Sequence, residues 1–197
     1  TNARAFKLNV ANFDACQAGV ANIEAEMGAI TALVNNAGIT RDGVLHKMTA
    51  ESWHVVIETN LTSCFNMCRA VIGGMRERGF GRIVNITSGS VKAPIDVLGL
   101  SNGARSGLTG FVAGLARQTR LMSANVTVNN LLPGAFDTDR LRKNFETQAS
   151  STGKPVEAMA AARAATIPSA RFGDPLEFGQ TCAFLCSAQA SYIVAQN

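Results

Sequence analysis

The sequence predicts an α/β fold, a doubly wound parallel sheet with helices on both faces. Two observations lead to this prediction. Short apolar runs alternate with longer amphipathic segments along the chain, as they do where crossover helices join parallel strands. Several of these runs also end in Asn, Gly or Pro, which is typical of buried strands that stop where the backbone approaches a ligand.

The predicted elements follow one another in a regular order. Strands are predicted at residues 6–10, 30–34, 82–86 and 125–131, and helices at residues 13–27, 53–78, 100–121, 140–165 and 175–186. Thr49 offers an N-cap for the second helix, and we expect that helix to bend near Thr59 and Asn60. Gly28 closes the first helix, and polar residues 150–155 interrupt the fourth.

The composition is that of one globular domain covering residues 1–197. An apolar content of 47% provides for a substantial core. The net charge of +4 comes from scattered basic residues without interleaved aromatic residues, so nucleic acid is not an expected partner. No apolar run approaches the roughly 18 residues of a membrane span, and no signal-peptide pattern is present. We therefore expect a cytoplasmic protein that does not bind a membrane.

The cysteines and histidines do not form a recognisable site. The five cysteines include two pairs at four-residue spacing within helical patterns, Cys64 with Cys68 and Cys182 with Cys186. A zinc site is one interpretation, but no His accompanies either pair, and small buried hydrophobic residues explain them better. His46 and His54 lack a partner nearby in sequence. We therefore expect no metal and reduced thiols.

The strand ends carry a recognisable pattern. The run Ala32-Leu33-Val34 is followed by Asn35, Asn36, Ala37 and Gly38, then by Ile39-Thr40-Arg41-Asp42. Together with Thr59-Asn60 and the strand that ends in Ser88, this sequence resembles the short-chain dehydrogenase/reductase family. The resemblance covers nearly the whole chain and is closest to bacterial 3-oxoacyl-carrier-protein and acetoacetyl-CoA reductases. It implies a Rossmann-like sheet, an NAD or NADP cofactor, and reduction of a 3-oxoacyl thioester or small ketone.

The resemblance also implies cofactor-binding residues at the carboxyl ends of the strands. Asn9 and Val10 would flank the adenine, and Asn35 to Gly38 would line the adenosine ribose. The nicotinamide would be supported by Ile86, by Arg105 at its ribose, and by Pro133, Gly134 and Thr138 at its other edge. All of these segments are expected at the edge of the sheet where doubly wound folds bind ligands.

The catalytic positions depart from the family pattern. Ser88 matches the family serine, and Asn60 the family asparagine, so both are expected to orient substrate. The family tyrosine, 13 positions beyond that serine, is replaced by Ser101, and the lysine four further on is replaced by Arg105. Serine is a far weaker acid than a phenol, and arginine cannot relay protons near neutral pH. The alternative proton donors are Tyr192, Lys92 or a water bound to Asn60.

Both ends of the sequence bear on its function. Family members begin with a strand, a Gly-rich turn and a second strand, and they end in a last strand. The sequence holds no such turn, and we expect the first two strands and the last strand of the family sheet to be missing from it. We expect either a chain truncated at both ends or a sheet that has been paired differently. Three interpretations remain open: an oxidoreductase with altered proton delivery, a non-catalytic cofactor- or acyl-binding homologue, and a fragment without its own function. The resemblance also implies a homotetramer formed through helices at residues 61–75 and 100–121.

Overall fold

A parallel three-stranded sheet forms the centre of the protein. The computed structural model describes residues 3–197, with strands β1 (Ala32–Asn35), β2 (Gly81–Ile86) and β3 (Val126–Leu131) in the order β1-β2-β3. The register pairs Leu33 with Ile83 and Ile83 with Val128. The predicted α/β class with parallel strands and flanking helices is therefore confirmed.

Eight α-helices accompany the sheet in the described part of the chain. They are α1 (Phe13–Met27), α2 (Ala50–Ile57), α3 (Ser63–Glu77), α4 (Gly99–Leu115), α5 (Thr119–Met122), α6 (Asp139–Thr152), α7 (Val156–Ala165) and α8 (Pro175–Leu185). None of the described helices is long and apolar enough to cross a membrane.

Several helix ends are set by capping residues, two of which, Gly28 and Thr49, the sequence indicates. Asn12 caps α1, with its side-chain oxygen accepting a hydrogen bond from the Ala15 N–H at 2.8 Å. Gly28 ends α1 at φ 89°, a conformation that suits glycine. Thr49 caps α2 by accepting from the Ser52 N–H at 3.1 Å. The predicted first helix and the predicted N-cap are thus confirmed.

The bend expected near Thr59 and Asn60 is a π-helical turn. It covers Glu58–Thr62, between α2 and α3. One extra residue in such a turn rotates the side chains that follow relative to those before it, and such turns are frequent at functional sites. The turn buries Asn60 completely.

The core lies between the sheet and the helices packed on it. Ile83 and Val84 of β2 and Val126 and Val128 of β3 are fully buried, as expected for parallel strands covered on both faces. Met75 of α3 is among the buried residues of the same cluster. The same cluster includes Leu108 and Val112 of α4.

An asparagine ladder crosses the sheet at the carboxyl end of the strands. Asn35 Nδ2 donates to Asn85 Oδ1 at 2.8 Å, and Asn85 Nδ2 donates to Asn130 Oδ1 at 3.2 Å. Asn130 Nδ2 in turn donates to Asn197 Oδ1 at 2.6 Å. The three strand residues are paired in register and are nearly fully buried. Each of these buried amides therefore has another amide as a hydrogen-bond partner.

Two predicted elements are wrong. Residues 6–10 do not form a strand, because β1 is the edge of the sheet and no strand pairs with its outer side among the described residues. The helix predicted at 100–121 is two helices, because the extended backbone of Gln118 (ψ 105°) separates α4 from α5. Residues near the end of the chain contact β3, where the Ala195 N–H donates a hydrogen bond to the Val128 carbonyl at 2.9 Å.

The described chain divides into two compact units, and the prediction of a single domain remains a prediction. The first comprises the residues up to Leu132 together with Phe184–Asn197, and the second is Pro133–Ala183. The second unit holds α6, α7 and most of α8. Its contacts include Phe136 with Phe178, at 5.1 Å between ring centroids, and Arg142 with Asp137, at 2.9 Å.

Candidate active site

The predicted site residues of β1 and β2 lie at one edge of the sheet. β1 ends at Asn35, which is paired in register with Asn85 of β2. The segment 36–38 leaves the first strand there, and Ile86 ends the second. Because the strands are parallel, the backbone beyond both of them faces the side where doubly wound folds bind ligands.

Asn60 fastens the segment that follows β1. Its Oδ1 accepts from the Ile39 N–H at 2.9 Å, and its Nδ2 donates to the Ile39 carbonyl at 2.9 Å. Both ends of the amide are therefore engaged by one residue. The role of Asn60 in orienting substrate stays a prediction, and in the structure its side chain fixes the backbone next to Gly38.

Arg105 connects the ends of the two strands. Its Nη1 donates to the Ile86 carbonyl at 3.0 Å. A Cβ atom built on Gly38 would lie 2.6 Å from Arg105 Nη2 and 3.2 Å from Asn60 Oδ1. A side chain at position 38 would displace the Arg105 guanidinium, which occupies the space that a Cβ atom would need. The arrangement places a permanent positive charge beside the strand ends.

Ser88 is held with its hydroxyl oxygen already accepting one hydrogen bond. The Ser90 N–H donates to Ser88 Oγ at 3.2 Å and thereby closes the short 3-10 turn Gly89–Val91. Ser88 itself is half-buried. The hydrogen bond from Ser90 uses a lone pair of Ser88 Oγ and not its proton, so the hydroxyl can still donate to a carbonyl oxygen.

Ser101, at the position of the family tyrosine, lies in the first turn of α4. Its backbone N–H donates to Asp42 Oδ1 at 2.9 Å. The second oxygen, Asp42 Oδ2, is buried and has no hydrogen-bond partner in residues 3–197. The carboxylate thus stabilises the amino-terminal end of α4 and ties residue 101 to the loop after β1. Sequence reasoning missed this role because Asp42 and Ser101 are 59 positions apart.

A small cavity lies where the adenosine was expected. It has a volume of about 90 Å³, and its lining includes Val10, Asn35, Asn36 and Ala37. Asn9 precedes Val10 in the chain, and its side-chain oxygen accepts a hydrogen bond from the Ala11 N–H at 3.1 Å.

The turn beside that cavity is anchored by a residue that the sequence did not single out. Asn66 of α3 donates to the Val10 carbonyl at 3.0 Å. Asn66 is nearly fully buried, but α3 also holds Ser63, Arg69, Arg76 and Glu77, so no signal in the sequence distinguishes it.

The remaining predicted residues take no part in the contacts described above. Pro133, Gly134 and Thr138 belong to the second unit, where Thr138 caps α6 by accepting from the Leu141 N–H at 3.3 Å. Tyr192, the single tyrosine of the chain, is fully exposed. Lys92 is also exposed.

Comparison with known proteins identifies the family. Residues 1–149 match the short chain dehydrogenase family. Acetoacetyl-CoA reductase of Paracoccus denitrificans is 40% identical over 197 residues, which are 100% of this chain and 76% of the relative.

The chain belongs to the short-chain dehydrogenase family.

Further similarities agree with this assignment. The 3-oxoacyl-[acyl-carrier-protein] reductase of Vibrio cholerae is 38% identical over 198 residues, covering 100% of this chain and 75% of the relative. A crystal structure of an actinorhodin polyketide ketoreductase variant with NADPH superposes with a TM-score of 0.87 at 31% identity, covering 96% of this chain and 72% of that one. As a short-chain dehydrogenase, the protein is an NAD(P)-dependent oxidoreductase.

The described residues fit the nicotinamide cofactor of this family at two places. The cavity at Val10 and Asn35 to Ala37 can take part of an adenosine. The Arg105 guanidinium, which fills the space beside Gly38, supplies a positive charge that suits a ligand ribose or phosphate.

Proposed function

We propose that the protein reduces the keto group of a 3-oxoacyl thioester to a hydroxyl group, with NADPH or NADH as reductant. The observation that carries this proposal is the identity of 38–40% over the whole chain to an acetoacetyl-CoA reductase and a 3-oxoacyl-[acyl-carrier-protein] reductase. The bound cofactor supplies the hydride, and the residues of the chain position the carbonyl and accommodate the charge that develops on its oxygen.

Ser88 is the residue best placed to polarise the substrate carbonyl. Its proton can be donated to the carbonyl oxygen, because the Ser90 N–H uses only a lone pair of its own oxygen. A donor fixed in this way stabilises the developing oxyanion without having to reorient during the reaction. Arg105 adds a positive charge nearby, held in place by the Ile86 carbonyl.

Proton delivery is the weak step of the proposed reaction. Arg105 stays charged at every relevant pH and cannot pass a proton on. We assign final protonation of the alkoxide to Ser101 or to a water that it holds. Either group is a poorer acid than a phenol, so turnover should be slow for this family.

The test is reduction of acetoacetyl-CoA by the full-length protein, followed by loss of NADPH absorbance and by identification of 3-hydroxybutyryl-CoA. Ser88→Ala should lower kcat/KM about 100-fold, the usual effect of losing one oxyanion donor. Ser90→Ala is the matched control, since the Ser90 hydroxyl is buried without a hydrogen-bond partner in residues 3–197. Equal activity of both variants would contradict the role given to Ser88.

A second candidate function is binding without catalysis. It is favoured by one observation: the catalytic tyrosine position holds Ser101, and the single tyrosine of the chain is fully exposed. In that case the protein would bind cofactor or an acyl thioester and release it unchanged. Saturable NADPH binding by calorimetry, with no product after prolonged incubation, would favour this function over the first.

We further propose a homotetramer and a cytoplasmic location. The proposed oligomer is supported by α4, where Gly103, Gly110 and Gly114 have no atom within 4 Å of a built Cβ among the described residues, so another helix could approach closely. A cytoplasmic location is supported by five free cysteines. Light scattering that gives a monomer would contradict the tetramer.

A further inference from the structure

An open apolar cleft begins next to Ser101. Its volume is about 620 Å³, within the range of small-molecule sites. One wall comes from the segment 43–53, which contains the start of α2, and the other from the segment 96–100, which leads into α4. Met48 and Leu100 line it where the two walls meet, and a Cβ atom built on Gly99 would lie 3.4 Å from Met48 Cε.

Large apolar side chains line this cleft and remain exposed. Leu45 is 84% exposed, Trp53 49% and Val97 51%. Single exposed apolar residues are ordinary on a protein surface, but several on one concave surface indicate a binding site. Asp96 and Thr49 are the polar side chains of the lining, so the cleft suits an apolar ligand rather than a charged one.

Val97 is held in a conformation that valine avoids. Its φ is 56°, in the left-handed region where a β-branched side chain is strained. Neighbouring hydrogen bonds hold the loop: Asp96 Oδ1 accepts from the Val97 N–H at 2.8 Å, and Asn102 Nδ2 donates to the Ile95 carbonyl at 2.9 Å. The strained valine is one of the residues that line the cleft.

Both walls of the cleft are joined along the chain to residues at the catalytic position. Leu100 lines it, and the next residue, Ser101, is tied by its N–H to Asp42, which precedes the first residue of the opposite wall. A substrate whose carbonyl lies at Ser88 and Ser101 would therefore have this apolar surface within reach of the rest of its chain.

We propose that this cleft binds the alkyl tail of the 3-oxoacyl substrate, so that the protein prefers medium-length acyl chains to the four-carbon acetoacetyl group. This inference rests on the proposed function and adds the chain length to it. Burial of one methylene strengthens binding about fourfold. Because the cleft is open, we assume that each methylene contributes half of that binding free energy, which corresponds to about twofold tighter binding. Four additional methylenes then strengthen binding about 16-fold.

Trp53 is the single tryptophan of the chain and therefore reports on the cleft without interference. The full-length protein is titrated with S-octanoyl- and S-butyryl-N-acetylcysteamine, which lack a keto group and are not reduced. We expect the octanoyl thioester to shift the Trp53 emission to the blue and to bind at least tenfold more tightly. Equal affinities, or no spectral change with either thioester, would overturn the proposal.

Two variants separate binding from folding. Leu45→Ser should lower the ratio of octanoyl to butyryl affinity at least fourfold, whereas Met27→Ser, which alters a half-exposed side chain at the end of α1, should leave that ratio unchanged. Val97→Asn relieves the backbone strain, because Asn tolerates the left-handed region. The Val97→Asn variant should keep or raise Tm and still lower the ratio of octanoyl to butyryl affinity. A lower Tm with an unchanged ratio would overturn the inference.

The outcomes also distinguish this proposal from the proposed function. Reduction of 3-oxobutyryl and 3-oxooctanoyl thioesters with equal kcat/KM would refute the cleft and leave the reductase function standing. A blue shift with octanoyl thioester, without reduction of either substrate, would support the cleft and refute the reductase function. A Trp53 emission that follows protein concentration together with self-association would assign the cleft to a second copy and overturn the proposal.

Discussion

Gly38→Ala is the substitution whose effect follows most directly from the geometry. The added Cβ atom would lie 2.6 Å from Arg105 Nη2 and 3.2 Å from Asn60 Oδ1. Arg105 is held by its hydrogen bond to the Ile86 carbonyl, and Asn60 is fixed at both ends by Ile39. Overpacking of this kind costs about 1–3 kcal/mol. We expect Gly38→Ala to lower the free energy of unfolding by about 2 kcal/mol.

A double-mutant cycle tests the cause of that loss. Arg105→Lys removes the guanidinium from the space beside Gly38, so Gly38→Ala should cost about 1–2 kcal/mol less in the lysine background. Urea unfolding of the four proteins gives the coupling energy. Gly43→Ala is the matched control, since a Cβ atom there has no atom within 4 Å among the described residues, and it should change stability by less than about 0.5 kcal/mol. Additive costs of Gly38→Ala and Arg105→Lys would refute the contact.

Three other predictions concern chemistry and pH. Ser101→Tyr combined with Arg105→Lys should raise acetoacetyl-CoA reduction about 10²- to 10⁴-fold, because it restores a general acid, and each single variant should gain less; a folded, cofactor-binding double variant without activity would favour the non-catalytic function. Burial raises the pKa of Cys68 to about 12, so its thiol should resist dithionitrobenzoate at pH 8. Only two thiols of the native protein should react quickly, the half-buried Cys182 and Cys186, and five fast thiols would contradict this. The hydrogen bonds from Arg171 hold the pKa of Glu177 at about 2, below its usual 4.5. The pair of Arg171 and Glu177 therefore stabilises the fold above pH 4.5, and this stabilisation is lost as the pH falls toward 2. Between these two pH values, the Tm of Glu177→Gln should fall less than the Tm of wild type.

Local signals in the sequence were enough for most helices and for the central strands. Gly28 marks the end of α1 by chemistry that acts within a few residues, and short apolar runs predict β2 and β3. The predicted strand at 6–10 failed for a different reason. An apolar run becomes a strand only when a neighbour pairs with it, and that requirement is not visible in the run itself.

The candidate site was predictable in its positions but not in its contacts. Family resemblance indicated Gly38, Ser88 and Arg105 by spacing. It could not indicate that Asn60 would bind Ile39 at both ends, nor that Asp42 would cap α4, since these contacts join residues 21 and 59 positions apart. Such contacts depend on how the π-helical turn and the loop after β1 pack together, which only the three-dimensional structure reveals.

The asparagine ladder has a consequence for how the strands can move. Each amide gives its hydrogen to the next in one direction, from Asn35 through Asn85 and Asn130 to Asn197. A single side chain cannot turn over alone, because reversing one amide would set oxygen against oxygen on one side and N–H against N–H on the other. The row can therefore reverse only as a whole, and a strand sliding by two residues would leave buried amides without partners. The side-chain N–H protons of Asn85 and Asn130 should accordingly be among the slowest amides to exchange with solvent.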